Sequence, residues 1–420
     1  MSEIGARATT GLLAVLIAAP LGAAEKVPGR AFRGSGGTAV YHQKGLPTSW
    51  SEADKKNIRW KTALTLPGWA SAVVARGRVI VTGANAEKRM AWCMAVADGK
   101  QQWVTELPVV AGATEGYQTD TMDPEWDARM YAAGSPVTDG RHVYVIFSNG
   151  QLAALRVADG TVAWNLALGD SSLNQYGLTG SLRLYGDKLI VVFQGEKRFV
   201  AAHDVVSGKQ VWKTERGSSS WATPSLITTA GGKDLLVLLG DPDLTAWNPS
   251  SGKKVWTIDI LSGKPDACVG PSPIFDGTYV YVNCQGSGIY AVDPDAGKKV
   301  WGLEELPEGF GFSDGASMVA NDGCVYQFYD TVLSCIDASN GNVIKELEVD
   351  ARSSYASPFL NGKHLYLVTA EDVRVLKADP DTGFAVVGKG TLSGRIEGSP
   401  TVAGDAIFIR TDDAIYCIGK

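Results

Sequence analysis

The side chains able to carry acid–base, nucleophilic or metal chemistry are few in this 420-residue sequence, and their spacing does not bring them together. Four histidines, His42, His142, His203 and His364, are scattered, with no HxH or HExxH pattern to converge on a zinc ion. Six cysteines occur without CxxC, CxxCH or an adjacent pair, so a redox dithiol, a zinc site and a c-type haem all lack their signature. The acidic run Asp120-Thr-Met-Asp-Pro-Glu-Trp-Asp127 sits in the longest irregular stretch, 107–130. It offers carboxylates for Ca²⁺ but lacks the glycine and spacing of a calcium loop. It reads as a solvated loop, the kind of segment that contacts partners. No catalytic residue and no metal site is assigned. A formal charge of −6 gives no electrostatic reason to expect nucleic acid or an anionic membrane as partner.

What does recur is a large side chain just ahead of a repeated strand: Trp69, Tyr131, Tyr176, Trp221, Phe312, Tyr355 and Ile396. Arg129, Asp314, Arg352, Arg395 and Glu397 lie near them. If these positions meet at one mouth of a channel, the ring binds a flat ligand, a sugar or a peptide, or it merely plugs the channel.

The elements that must bring them together are visible as a repeat. Segments such as Ala202-His-Asp-Val-Val-Ser-Gly-Lys-Gln-Val-Trp212, Ala246-Trp-Asn-Pro-Ser-Ser-Gly-Lys-Lys-Val-Trp256 and Ala291-Val-Asp-Pro-Asp-Ala-Gly-Lys-Lys-Val-Trp301 each read as a strand end, a glycine-closed turn and a second strand with Trp. Looser copies end at Trp103 and Trp164. Upstream of each copy lies a small-Ser-Pro-like start with two apolar strands around an Asp-Gly-type turn, as in Pro271-Ser-Pro-Ile-Phe-Asp-Gly-Thr-Tyr-Val-Tyr-Val282. One period is four strands, A to D, and 44 and 45 residues separate Trp212, Trp256 and Trp301. That is the period of a propeller blade. Eight A strands begin near residues 70, 134, 180, 223, 270, 316, 356 and 398. The eighth copy ends after strand C, and Asn57-Ile-Arg-Trp-Lys-Thr-Ala-Leu64 supplies its D strand. The expected fold is therefore all-β: an eight-bladed β-propeller over 57–420 whose last blade is closed by an N-terminal strand. Many of the 49 glycines become turn residues. Trp60, Trp103, Trp164, Trp212, Trp256 and Trp301 become structural, each packing between neighbouring blades with its ring over a glycine turn and its indole N–H on a carbonyl.

The Ala-x-Asp-x-x-x-Gly-Lys-x-x-Trp copies resemble the tryptophan-docking motif of the PQQ-like β-propeller family over 57–420. That family includes quinoprotein alcohol dehydrogenases and the lipoprotein of the outer-membrane β-barrel assembly machinery. The leader segments Phe32-Arg-Gly-Ser-Gly-Gly37 and Leu46-Pro-Thr-Ser-Trp50 also look like the entry of secreted PQQ-like repeat proteins of planctomycete-type bacteria. The resemblance carries the scaffold. The dehydrogenases are longer, and many have a vicinal Cys-Cys pair, which this sequence does not. The expectation is a non-enzymatic scaffold binding an envelope protein, peptide or glycan, without cofactor. The alternative is a PQQ-dependent dehydrogenase using PQQ with Ca²⁺.

Residues 1–24 read as a signal peptide, with Arg7 and Glu3 ahead of the apolar run Gly11–Ala19, then Pro20 and a small-residue site after Ala24. A membrane anchor is the weaker reading, because the run is short and Pro20 breaks it. No Cys follows the cleavage site, and no later apolar run spans a membrane. The mature chain is expected to be a periplasmic or secreted monomer, with 25–56 as an extended leader. Export permits disulfides. Cys268 and Cys284 flank the Asp276-Gly277 hairpin, and a bond between them is expected. Cys324 and Cys335 are two residues out of register for one. Cys93, Cys335 and Cys417 fall at the small position of strand C and read as buried thiols.

Overall fold

The computed structural model describes residues 29–34, 36–114, 129–171, 176–261, 269–304, 311–313, 315–379 and 383–420. The expected signal peptide 1–24, the acidic run 120–127, Cys268 and Asp314 fall outside them, as therefore does the expected Cys268–Cys284 bond.

Eight sheets, each built on four antiparallel strands, follow one another along the chain. The first seven blades occupy 73–106, 137–167, 183–215, 225–259, 274–303, 319–348 and 359–391. Their strands pair in the order A-B-C-D, inner edge to outer. The eighth takes strands A to C from 401–418 and its outer strand from β3 (Ile58–Ala63), numbering β1 (Val40–Tyr41) and β2 (Trp50–Ser51) before it. Strand β3 lies antiparallel to Ala414–Ile418, so the last blade is built from both ends of the described chain and the ring is closed. Closure removes the sheet edge that an open ring would expose. Among the described residues no helix is long and apolar enough to cross a membrane.

The apolar core lies between blades. Each of the six repeat tryptophans stands on an outer strand and reaches the next blade. Its indole N–H donates to a carbonyl there: Trp60 to Val96, Trp103 to Val157, Trp164 to Val205, Trp212 to Pro249, Trp256 to Pro294 and Trp301 to Ala338, at 2.8–3.1 Å. The ring lies on the turn glycine. A Cβ on Gly252 would stand 2.4 Å from Trp212 Cε3, and its φ of +68° disfavours any side chain. Opposite the tryptophans, strand C carries Ala or Cys: Cys93 faces Trp103 and Cys417 faces Trp60. Burial pushes both thiols up to about 12. Cys324 stands opposite Asp337, and Cys335 opposite Tyr326, the two-residue offset that the sequence implies.

Blades six and seven lack the tryptophan, and Lys345 and Gly388 take its place opposite Cys335 and Val375. At blade seven the leader fills the space. β1 lies parallel to the inner strand Phe359–Asn361 and β2 parallel to the outer strand Ala385–Thr391, making a six-stranded sheet. Trp50 is buried there, and only glycine fits beneath it: a Cβ at Gly390 would come within 1.9 Å of its ring.

Candidate functional site

The A strands begin about three residues later than the repeat suggests, at Val73, Val137, Arg183, Ser225, Ile274, Val319, Phe359 and Thr401. The residues before them turn their amides sideways, to the next blade. Ser71 N–H donates to Ser135 Oγ, Ser135 to Ser181, Ser181 to Thr223 Oγ1, Thr223 to Ser272, Ser272 to Ser317, Ser317 to Ser357 and Ser357 to Ser399. These seven bonds, 2.8–3.1 Å long, form a belt of hydroxyls around the channel, one residue from each blade. Between blades eight and one, Thr401 Oγ1 donates to Ala72 O at 2.7 Å instead.

The belt sets what faces the mouth. In an extended chain, residues two apart share a face. The residues two before each belt position are Trp69, Ala133, Thr179, Trp221, Gly270, Gly315, Tyr355 and Glu397, and every one lines a cavity of about 420 Å³. Trp69 stacks on Tyr355 with centroids 5.5 Å apart, and Tyr176 meets Trp221 edge-on at 5.3 Å. Gly315 is required under Tyr355, where a Cβ would come within 2.2 Å of the ring. Glu397 is buried, accepting from Arg395 Nη2 at 2.7 Å and from the Tyr355 amide at 3.2 Å. Burial raises its carboxyl above the usual range, while the Tyr355 amide and Arg395 pull the other way.

Of the expected ring, then, Trp69, Tyr176, Trp221, Tyr355 and Glu397 line the mouth, and Arg395 is held beside it by Glu397. Three residues do not face it. Tyr131 packs against the core between blades one and two, Phe312 is buried between blades five and six, and Ile396 is buried between blades seven and eight. Arg352 points to solvent, 3.5 Å from Asp330. These positions lie three to five residues before the belt, where connections of unequal length no longer keep a common face. Arg129 pairs with Asp412 at 2.9 Å.

The floor of the cavity is a residue with no repeat signature, Phe32 of the leader. The leader crosses the channel on hydrogen bonds to five blades. Gly29 O accepts from Val74 N, Arg30 O from Thr138 N, and Phe32 O from Arg183 Nη1. Arg33 donates to the carbonyls of Ser317, Met318 and Pro358, and Arg183 also to that of Pro224. Both guanidinium groups are fully buried. Desolvation draws Arg33 down to about 9 and Arg183 to about 10, still charged at neutral pH. Tyr41, buried beside them, is pushed up to about 12 by desolvation.

The family model described as outer membrane protein assembly factor BamB matches residues 19–227 and 196–357. The chain belongs to that family. Two relatives bearing that name share 24% identity with it. The one from Burkholderia pseudomallei (strain K96243) aligns over 298 residues, 68% of this chain and 73% of the relative. The one from Yersinia pestis aligns over 369 residues, 83% and 82%. BamB from Moraxella catarrhalis superposes with a TM-score of 0.63 at 15% identity, over 86% of this chain and 98% of that one. A europium-containing methanol dehydrogenase gives 0.72 at 13% identity, over 93% and 91%. Scaffold-type and enzyme-type propellers thus share this architecture, so the BamB family assignment leaves the mouth's own chemistry to decide between them.

Proposed function

We propose that the protein is an exported, non-enzymatic scaffold that binds a polypeptide partner at the aromatic mouth, in the service of outer-membrane protein assembly that its relatives' name describes. The observation that carries this reading is the composition of the mouth. Two aromatic pairs stand over a belt of hydroxyls in a blind cavity, a surface suited to side chains and backbone carbonyls.

The enzyme alternative asks more of the site. PQQ with Ca²⁺ requires several carboxylate or amide oxygens gathered around the ion, plus a base. Among the described residues no three His, Cys, Asp or Glu side chains come together. Both oxygens of Glu397 are engaged by Arg395 and the Tyr355 amide. The described residues do not fit that pair.

The test is a titration of the mature protein with an unfolded outer-membrane polypeptide, followed by tryptophan emission. Trp69 and Trp221 line the mouth, so binding should change the emission, and Trp221→Ala should weaken it about tenfold or more. Unaltered affinity in Trp221→Ala would move the binding surface elsewhere.

A further inference from the structure

The belt holds donors that the fold itself does not use. A serine hydroxyl has one proton to give and two lone pairs to receive. Each of the seven belt oxygens that line the cavity accepts its neighbour's amide, yet among the described residues none of their O–H groups meets a protein acceptor. Beneath the belt, Arg183, two residues beyond Ser181, and Arg33 of the leader bring two positive charges whose hydrogen-bond partners are all backbone carbonyls. Among the described residues neither has a carboxylate within ion-pair distance. Glu397 does not offset them at the mouth, because Arg395 already neutralises it at 2.7 Å. A low-dielectric cavity with inward hydroxyl donors and unmatched positive charge beneath it favours an anion. Its rim of Trp69, Tyr355, Tyr176 and Trp221 favours an apolar or aromatic body.

The floor decides which part of a chain can enter. Phe32 closes the cavity from below, and the leader residues around it are fastened to blades on both sides. The leader lies across the path of a threading chain, and a chain end is the part that carries a free carboxylate to meet the belt's donors and the two guanidinium charges. We propose that the mouth captures the free C-terminal carboxylate of an extended polypeptide, with its last side chain seated between the aromatic pairs. Two or three hydroxyls on one side of the belt would hold the carboxylate. This rests on the polypeptide-binding reading above and names what that site recognises.

The experiment compares two short peptides, labelled at the N-terminus and ending in phenylalanine, one with a free carboxylate and one with a C-terminal amide. Binding to the full mature protein is read by fluorescence anisotropy. The acid should bind at least tenfold more tightly, about 1.4 kcal/mol. Ser272→Ala should bring the acid towards the amide, and Ser272→Thr, which restores a hydroxyl, should recover the difference. Equal affinity of acid and amide for the unaltered protein overturns the carboxylate inference and leaves the polypeptide reading standing. Binding of neither peptide removes both. If 3-phenylpropionate displaces the acid peptide at the same concentration as unlabelled peptide does, the site reads a small acid and the chain-end assignment falls.

Discussion

The belt makes an uneven prediction about serine. In Ser317→Ala the amide of Ser272 loses its acceptor, which stands 2.9 Å away, while both residues are about 97% and 96% buried. A buried amide left without a partner costs roughly 1–3 kcal/mol. A chain of this size has an unfolding entropy on the order of 0.8 kcal/mol/K, so about 2 kcal/mol lowers the midpoint by roughly 2–3 °C. Ser71 differs. Its amide donates to Ser135, but its own buried hydroxyl has no hydrogen-bond partner. Ser71→Ala removes an unsatisfied polar atom and should leave stability unchanged or raise it slightly. Differential scanning calorimetry on the two variants, with Ser317→Thr as a control that keeps the hydroxyl, measures the contrast. A Ser71→Ala loss as large as that of Ser317→Ala would refute the belt as the source of the effect. So would two neutral variants.

The other expectations concern the docking sites, the leader and the thiols. Trp212→Phe strands the Pro249 carbonyl and should cost about 1–2 kcal/mol, whereas Trp212→Ala also opens a cavity and should cost about 3–5 kcal/mol by chemical denaturation. Gly252→Ala should be comparably damaging although it adds a single carbon, because its Cβ meets the Trp212 ring and φ is +68°. Glu52 fastens the leader to Lys61, the Ser393 amide and Tyr416. Desolvation opposes its charge, but those partners outweigh it and hold the carboxyl down at about 2. A depressed carboxyl contributes stability that is complete above its unfolded value near 4.5 and is lost as pH falls towards 2. Glu52→Gln should therefore destabilise at pH 7 by about 1 kcal/mol and shrink that acid dependence, seen as convergence of the two denaturation midpoints near pH 2. Cys93 and Cys417, buried and raised to about 12, should stay unreactive to a thiol reagent at pH 8 until the protein is unfolded.

The fold could be read from sequence because its signature is local and repeated: a small residue on strand C, a glycine turn and a tryptophan four residues on. The missing eighth D strand was legible for the same reason, since the segment around Trp60 carries the same pattern. The mouth was only half legible. Trp69, Trp221 and Tyr355 fall two residues before a belt hydroxyl, so proximity to strand A found them. Tyr131, Phe312 and Ile396 are equally near the strand, but they lie in connections of unequal length that do not keep a common face, and their side chains turn into the core. The serines themselves were in view as part of the Ser-Pro starts, at Ser135, Ser272, Ser357 and Ser399. Their role was hidden because each one's partner lies a whole blade away. The path of Phe32 and Arg33 through the channel left no pattern at all, because Phe32 is held through its own carbonyl by Arg183, and Arg33 by backbone carbonyls contributed by two blades.

The central claim is that partners engage the blind, belt-lined mouth. A photo-crosslinking residue placed at Thr179, which lines the cavity, tests it most directly against one placed at Val255, exposed on the outer strand of blade four. With an unfolded outer-membrane polypeptide present, illumination should yield a covalent adduct from position 179 and none from position 255. An adduct from 255 alone would contradict the account and place recognition on the rim of the propeller.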